Sequence, residues 1–428
     1  MVGKHLGTVF GSLSVRNFRL FAAGQLVSVA GTWMMIVAQD WLVLSLSGDS
    51  AAALGLVTAL QFTPLLLFTL YGGRLADRYD KRLLLTVANL ASAALALGLA
   101  VLQLTGEARL WHIHLFALAL GTVNAVEVPA RMAFVGELVG TRLLPNASAL
   151  SAAYFNTARV AGPALAGLLI SALGPGPVML LNAVSYLAAV AGLRRMRTSE
   201  LHRSERPGGR GGVLDGLRYV ASRPDLLSPT VLVAVVSLAG LNFHLTLPLL
   251  AKTVFDADAT SFGLLTASFA AGSLLAALAG TGRRGRPPAR TVVVSALAFG
   301  LLETAAGGAP GFTSAVVLLC LTGFAAIYFA QAANHRIQLG SDPGYRGRVM
   351  ALYTLILQGS TPVGALLVGL LAEELGARSG LVVGGLVATA AALVALVVER
   401  RRRARPARTP DSRPAPGAEV PCPAERET

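Results

Sequence analysis

LLLTVANLASAALALGLAVLQL, residues 83–104, contains no charged side chain. At 1.5 Å per residue a helix of this length spans about 33 Å, enough to cross a bilayer core of about 30 Å. Working outward from it, comparable apolar runs lie at 18–44, 52–76, 111–131, 146–173 and 177–195. After a polar stretch near 196–225, six more follow at 226–252, 260–282, 290–309, 312–335, 348–375 and 379–398. The whole chain of 428 residues is only 14% charged, with a mean hydropathy of +0.63. A soluble protein of that composition would expose large apolar patches and aggregate. The reading is an all-α polytopic membrane protein of twelve transmembrane helices in two six-helix bundles.

The formal charge of +14 would suggest nucleic acid in a soluble chain. Here the basic residues fall in short loops on one side: Arg74, Arg78, Lys81 and Arg82; Arg194, Arg195 and Arg197; Arg283, Arg284, Arg286 and Arg290; Arg336, Arg346 and Arg348; Arg400 to Arg403. The other loops carry Arg109, Lys252 and Arg378. That asymmetry places both termini in the cytoplasm of a cell-membrane protein, whose partner is the bilayer and not nucleic acid. Residues 1–16 lack a cleavable signal pattern. The expected divisions are an N-terminal bundle, 1–195, a cytoplasmic linker, 196–225, a C-terminal bundle, 226–399, and a disordered tail, 400–428. Within the linker, Val213 to Ala221 reads as a short amphipathic helix on the inner membrane face. Cys320 and Cys422 offer neither a disulfide framework nor metal spacing.

The two sets of helices repeat each other weakly. Ser28-Val29-Ala30-Gly31 parallels Ser237-Leu238-Ala239-Gly240. Gly162, Gly167 and Gly174 parallel Gly364, Gly369 and Gly376. Such repeats imply two similar bundles with a binding site near the midplane between them.

Between the second and third spans stands Gly72-Gly73-Arg74-Leu75-Ala76-Asp77-Arg78-Tyr79-Asp80-Lys81-Arg82. Its glycine, Asp-Arg pair and following basic residues resemble the major facilitator superfamily signature, with Asp80 where many members carry glycine. Gly73 would let a helix approach closely. Asp77 would accept hydrogen bonds from a neighbouring helix N-terminus, and Arg78, Lys81 and Arg82 would hold the loop at the anionic leaflet. Asn17-Phe18-Arg19 with Gly24-Gln25, Pro129-Ala130-Arg131 and Arg346-Gly347-Arg348-Val349-Met350 narrow the resemblance. They are similar to the drug and siderophore efflux branch, which includes enterobactin exporters and macrolide efflux proteins. The resemblance implies proton-driven export of a small molecule by a monomer. Gly162-Pro163 with Gly167 resembles a degenerate helix-5 antiporter motif, whose small residues and proline would pack and bend that helix.

Charges inside a membrane are costly and are functional candidates by default. Asp40 reads either as a cavity carboxylate that takes and releases a proton or as an interfacial residue beside Trp41. Glu127, in the fourth span, is the first candidate partner for Arg159, with Asp40 the second. A Glu127–Arg159 or Glu127–Arg131 pair would be either a proton-sensitive gate or a permanent structural ion pair. His244 can titrate near neutral pH or simply be hydrogen bonded. Glu303, in the ninth span, is expected at the outer interface and inert. Gln25, Gln61, Asn124, Asn334 and Gln358 are candidate substrate contacts, with Trp33 and Met34-Met35 as a candidate apolar wall.

Neither a Walker A motif nor a Ser/His/Asp, Cys/His or metal-ligand pattern stands out, so the sequence points to no enzyme, cofactor or metal. The reading is a proton-coupled exporter of an amphiphilic drug, siderophore or metabolite, acting by alternating access. Its alternatives are a proton-coupled importer, a gradient-dissipating channel or scramblase and, from another class, an integral membrane transferase.

Overall fold

A computed structural model of the chain describes residues 11–202, 213–280 and 285–404. The Gly-rich part of the linker, Arg283, Arg284 and the tail beyond 404 lie outside the described residues. The first half contains α1 (Arg16–Ser47), α2 (Ala51–Arg78), α3 (Lys81–Leu104), α4 (Leu110–Leu173) and α5 (Pro175–Arg194). The second contains α6 (Val213–Ser222), α7 (Pro224–Ala239), α8 (Phe243–Leu249), α9 (Ala259–Gly280), α10 (Ala289–Gly307), α11 (Phe312–Gly340), α12 (Arg346–Leu375) and α13 (Ser379–Ala404). No strand occurs among the described residues.

Local chemistry sets the helix ends. Gly48, at φ 64°, closes α1 with its N–H on the Leu44 carbonyl, the left-handed position at which glycine costs least. The Ser50 hydroxyl caps α2 by accepting from the Ala53 N–H. Asp80 caps α3 by accepting from the Leu83 N–H at 3.0 Å.

Eleven apolar helical segments among the described residues are long enough to cross a membrane, with Leu110–Leu173 counted once. That segment has 64 residues, about 96 Å if straight, far more than a bilayer crossing needs. It turns at Gly140 (φ 66°, ψ 178°), so its two arms supply the fourth and fifth crossings and bring the total to twelve. Where a loop was expected between 131 and 146, one positive-φ glycine suffices.

The seventh crossing is interrupted, against the continuous 226–252 helix expected. The α7 helix ends at Gly240, and Asn242 opens α8 by accepting from the Leu245 and Thr246 N–H groups. The Asn242 amide donates back to the Leu238 carbonyl at 2.9 Å. A single π turn, Leu250–Val254, completes the span. Pro248 lacks an N–H, so the His244 carbonyl loses its usual helical donor.

Packing repeats between halves. In the first, α1 packs on α5 and the second arm of α4, and α3 packs on α5; in the second, α7 packs on α13 and α12, and α10 packs on α13. The halves meet along two seams, α4 with α9 and α2 with α12. Glycine backbones make both seams close. A Cβ on Gly167 would lie 2.6 Å from the Ala259 carbonyl oxygen, and one on Gly55 would lie 2.7 Å from the Ala365 carbonyl oxygen. Leucines such as Leu97, Leu115, Leu168, Leu275 and Leu301 stay exposed, as lipid-facing side chains do. The helix α6 packs on the start of α12: Tyr219 stacks on Tyr345 at 4.4 Å, while Leu217 is exposed.

Candidate functional site

The basic loops gather at one end of the bundle, here called the basic end. The Asp77 loop lies there, and its geometry differs from expectation. Gly73 faces open space, whereas Gly72 packs against the Ala125 carbonyl and Val126 of α4. Asp77 is exposed and makes no hydrogen bond or ion pair among the described residues; the helix-capping carboxylate is Asp80. Arg78 sits over Tyr79. Lys81 and Arg82 turn inward rather than toward lipid. Lys81 pairs with Glu137 at 2.6 Å, and Arg82 donates to the Leu193 and Arg194 carbonyls at 2.7 and 3.0 Å.

The hydrogen bonds and ion pairs that join the halves cluster at the opposite end. Lys252, on the π turn, reaches Asp49 between α1 and α2 at 2.6 Å and lies over the Trp41 ring. Glu373 of α12 accepts from the Ser50 hydroxyl and the Ala52 N–H, at 3.2 and 3.1 Å, across the seam at the α2 N-terminus. Thr260 donates to Ser171 at 2.8 Å, and Ser171 donates to Asp258 at 3.4 Å. The Ser261 N–H on Asp258 holds that carboxyl below the usual carboxylate range, so this acceptor stays ionised at neutral pH. Gly162 and Gly167 both act as close-packing positions: Gly162 sits against Ala30 and Trp33 of α1, and Gly167 against α9. Pro163 contributes its carbonyl to the contact with Gly263.

Below this seal lies a chamber of about 240 Å³. Its wall includes Gln25, Thr32, Trp33 and Asp40 from α1, Thr58, Gln61 and Phe62 from α2, Asn89 and Ser92 from α3, Asn124, Glu127, Arg131 and Phe155 from α4, Tyr186 from α5 and His244 from α8. Beside it, sharing Trp33, Asp40 and His244 as walls, lies a side chamber of about 40 Å³ that Arg159 and Phe269 also line. Of the sequence candidates, Gln25, Trp33, Asp40, Gln61, Asn124, Glu127, Arg131, Arg159 and His244 come together here.

Trp33 is the hub. It stacks on His244 with ring centroids 5.9 Å apart and meets Phe155 edge-on at 6.1 Å. Arg159 lies between two rings, 5.7 Å from Trp33 and 5.9 Å from Phe269. The carboxylate expected beside Arg159 is elsewhere. Glu127 pairs with Arg131 at 3.0 Å, one turn along the same helix, because an i,i+4 neighbour needs no interhelical reach. Aromatic faces give the Arg159 guanidinium a partial substitute for an anion. Asp40 is 5% exposed and has no hydrogen bond or ion pair among the described residues; its free face borders both chambers.

Other candidates fall outside. Asn334 and Gln358 do not line the chambers, and Gln358 is exposed. Met34 and Met35 are buried in the apolar core. Sequence reading missed Thr32, Asn89, Ser92 and Tyr186. Thr32 and Tyr186 pair their hydroxyls at 3.2 Å. Asn89 and Ser92, three apart on α3, share a helical face, and that spacing was the available signal.

A family described as transmembrane secretion effector matches residues 7–423. The multidrug efflux pump Tap of Mycobacterium tuberculosis is 28% identical over 397 residues, 88% of this chain and 91% of the relative. Macrolide efflux protein A of Streptococcus pyogenes is 24% identical over 396 residues, 90% of this chain and 97% of the relative. Among solved structures, a bacterial homologue of the human lysosomal transporter Spinster, inward-facing and unoccupied, superposes with a TM-score of 0.69 at 15% identity. That match covers 92% of this chain and 99% of the homologue, and it shows the shared fold.

Proposed function

We propose that this chain, a member of the transmembrane secretion effector family of the major facilitator superfamily, exports an amphiphilic small molecule in exchange for protons. It is a multi-pass membrane transporter, not an enzyme. On this reading the basic end faces the cytoplasm, both termini lie inside, and the first and second halves are two bundles that rock about the side chamber, which both halves line.

The observation that carries the proposal is the pairing of the seal with the chamber. One end is locked by Lys252–Asp49 and by Glu373 on the α2 N-terminus. The chamber beneath it holds a carboxylate without a protein partner, Asp40. A substrate enters from the basic end and lies against Trp33, Phe62 and Phe155, with amide groups from Gln25, Gln61 and Asn124 available to its polar atoms. Most of the wall is polar, with an aromatic patch at Trp33, Phe62 and Phe155, a division that suits an amphiphile with one polar and one apolar face.

Coupling then runs through Asp40. Arg159 cannot lose its proton, so it is a fixed positive charge in the side chamber that Asp40 also borders. Proton release puts an anion on the wall of the chamber that this cation also lines; proton uptake removes it. The two protonation states therefore differ in their electrostatic preference for a narrow or an open side chamber, which is what a coupled cycle requires. The Tap and macrolide efflux relatives support export of drug-like molecules over import. A panel of macrolides, tetracyclines, dyes and siderophores, applied to cells with and without the gene, tests the reading. Raised tolerance to at least one amphiphile is expected, and equal sensitivity to all, with the protein present in the membrane, would contradict it.

A further inference from the structure

Glu303 was expected at the outer interface and inert. It is 1% exposed, one turn from the end of α10, between the interrupted seventh crossing and α13. A Cβ on Gly240 would lie 2.8 Å from Glu303 Oε2, and one on Gly384 would lie 3.2 Å from Oε1 and 2.6 Å from the Ala239 carbonyl oxygen. Two glycines thus make the space that the carboxyl fills, directly at the break. Glu303 Oε2 has no hydrogen-bond partner. The Ala239 carbonyl is among the last four of α7, which lack helical donors, and among the described residues it accepts no hydrogen bond.

The surroundings favour a neutral carboxyl. The C-terminus of a helix is its negative end, and Glu303 lies against the C-terminus of α7. Its other neighbours include the Phe299 ring and Gly384. On the helices packed around it the charged groups are remote in sequence: Asp225 on α7, His335 and Arg336 on α11, and Glu399, Arg400 and Arg401 on α13. Each is about 20 Å or more along its helix from the level of Glu303 at 1.5 Å per residue. On α11 Cys320 is nearer in height, and no hydrogen bond joins it to Glu303. The cation nearest along α10 is Arg378, whose guanidinium donates to the Gly307 carbonyl at 3.3 Å. None of the chambers described above is lined by Glu303. A metal cation would need several oxygen ligands and room; a proton needs no cavity.

We infer that Glu303 is a proton-binding site, separate from Asp40, whose protonated carboxyl bridges the break in the seventh crossing by donating toward the free Ala239 carbonyl. Losing that proton replaces a donor with an anion at the helix C-terminus and loosens the joint between α7 and α8. The α8 side of that joint carries His244 and the lead-in to Lys252, so the site acts on both the chamber wall and the seal.

The test uses the full-length protein reconstituted in lipid, with Glu303→Gln as an uncharged variant of the same shape. Infrared spectra at neutral pH should show a protonated-carboxyl band that Glu303→Gln removes and Asp40→Asn leaves in place. Thermal unfolding gives an independent readout. A native state that holds a proton the unfolded chain has released loses stability as pH rises. The wild-type melting temperature should therefore fall by a few degrees between about pH 6 and about pH 9, and the Glu303→Gln value should fall by less. An unchanged carboxyl band in Glu303→Gln, or identical pH profiles for the two proteins, would overturn the inference. Neither readout involves transport, so the result stands apart from the role proposed for Asp40.

Discussion

Arg159 shows how much a single side chain depends on what surrounds it. A buried guanidinium demands compensation, and sequence alone supplies only a list of acids at similar depth. Two aromatic faces provide it, while Glu127 is already engaged by Arg131. Glu127→Gln should therefore leave Arg131, not Arg159, without its carboxylate. Both side chains are about a fifth exposed, so the expected cost is about 2 kcal/mol, read by thermal unfolding in detergent. The double variant with Arg131→Gln should cost clearly less than the sum of the two single changes; strict additivity would mean that the pair contributes nothing. The carboxylates themselves were legible as intramembrane charges. The Glu127–Arg131 spacing marked one candidate pair, but whether Glu127 served Arg131 or Arg159 was not legible, and a free cavity acid and a helix-break acid look the same along a sequence. The burial of Glu303 shows this most clearly, since the two glycines that accommodate it, Gly240 and Gly384, lie elsewhere in the chain.

At the scale of elements, the repeat between the halves was a reliable signal. The internal repeat marked Gly167 and Gly369, and both are seam positions, against α9 and α2 respectively. The turn at Gly140 was missed, since a glycine in an Ala- and Gly-rich helix carries no mark of the positive φ it adopts; the interruption after Gly240 was missed because the break falls at Asn242 (φ −100°, ψ 37°), inside an otherwise apolar run. The seams make a direct prediction. In Gly167→Leu the new side chain must displace the Ala259–Thr260 backbone, so the sealed end should open. A bifunctional thiol reagent that bridges cysteines at positions 49 and 252 should react well in the parent and several-fold less in the Gly167→Leu background. Equal cross-linking would show that the α4–α9 seam does not hold the seal. The Asp77 loop makes a second prediction. Asp77 is unengaged while the opposite end is closed, so its partner is available only when the basic end closes. Asp77→Asn should cut transport at least tenfold, leave expression and melting temperature unchanged, and shift the protein toward the state seen here. Wild-type transport by that variant would remove the loop from the cycle.

For the whole molecule, twelve crossings follow from hydropathy because lipid leaves a chain few choices: each crossing must satisfy its own backbone, which a helix does. Orientation rests on the arginine asymmetry. Reporter fusions after Arg195, in the described part of the linker and at the tail should all give cytoplasmic signals; an external signal from the linker would break the two-bundle reading. The central claim is that substrate moves outward against an inward flow of protons through Asp40. Its most direct test is uptake of a fluorescent amphiphile into inside-out vesicles carrying the protein, under an imposed pH gradient. The account predicts accumulation that needs the gradient, collapses with a protonophore, and is abolished by Asp40→Asn while substrate binding remains measurable. Accumulation that ignores the gradient, or full gradient-driven uptake by Asp40→Asn, would contradict it.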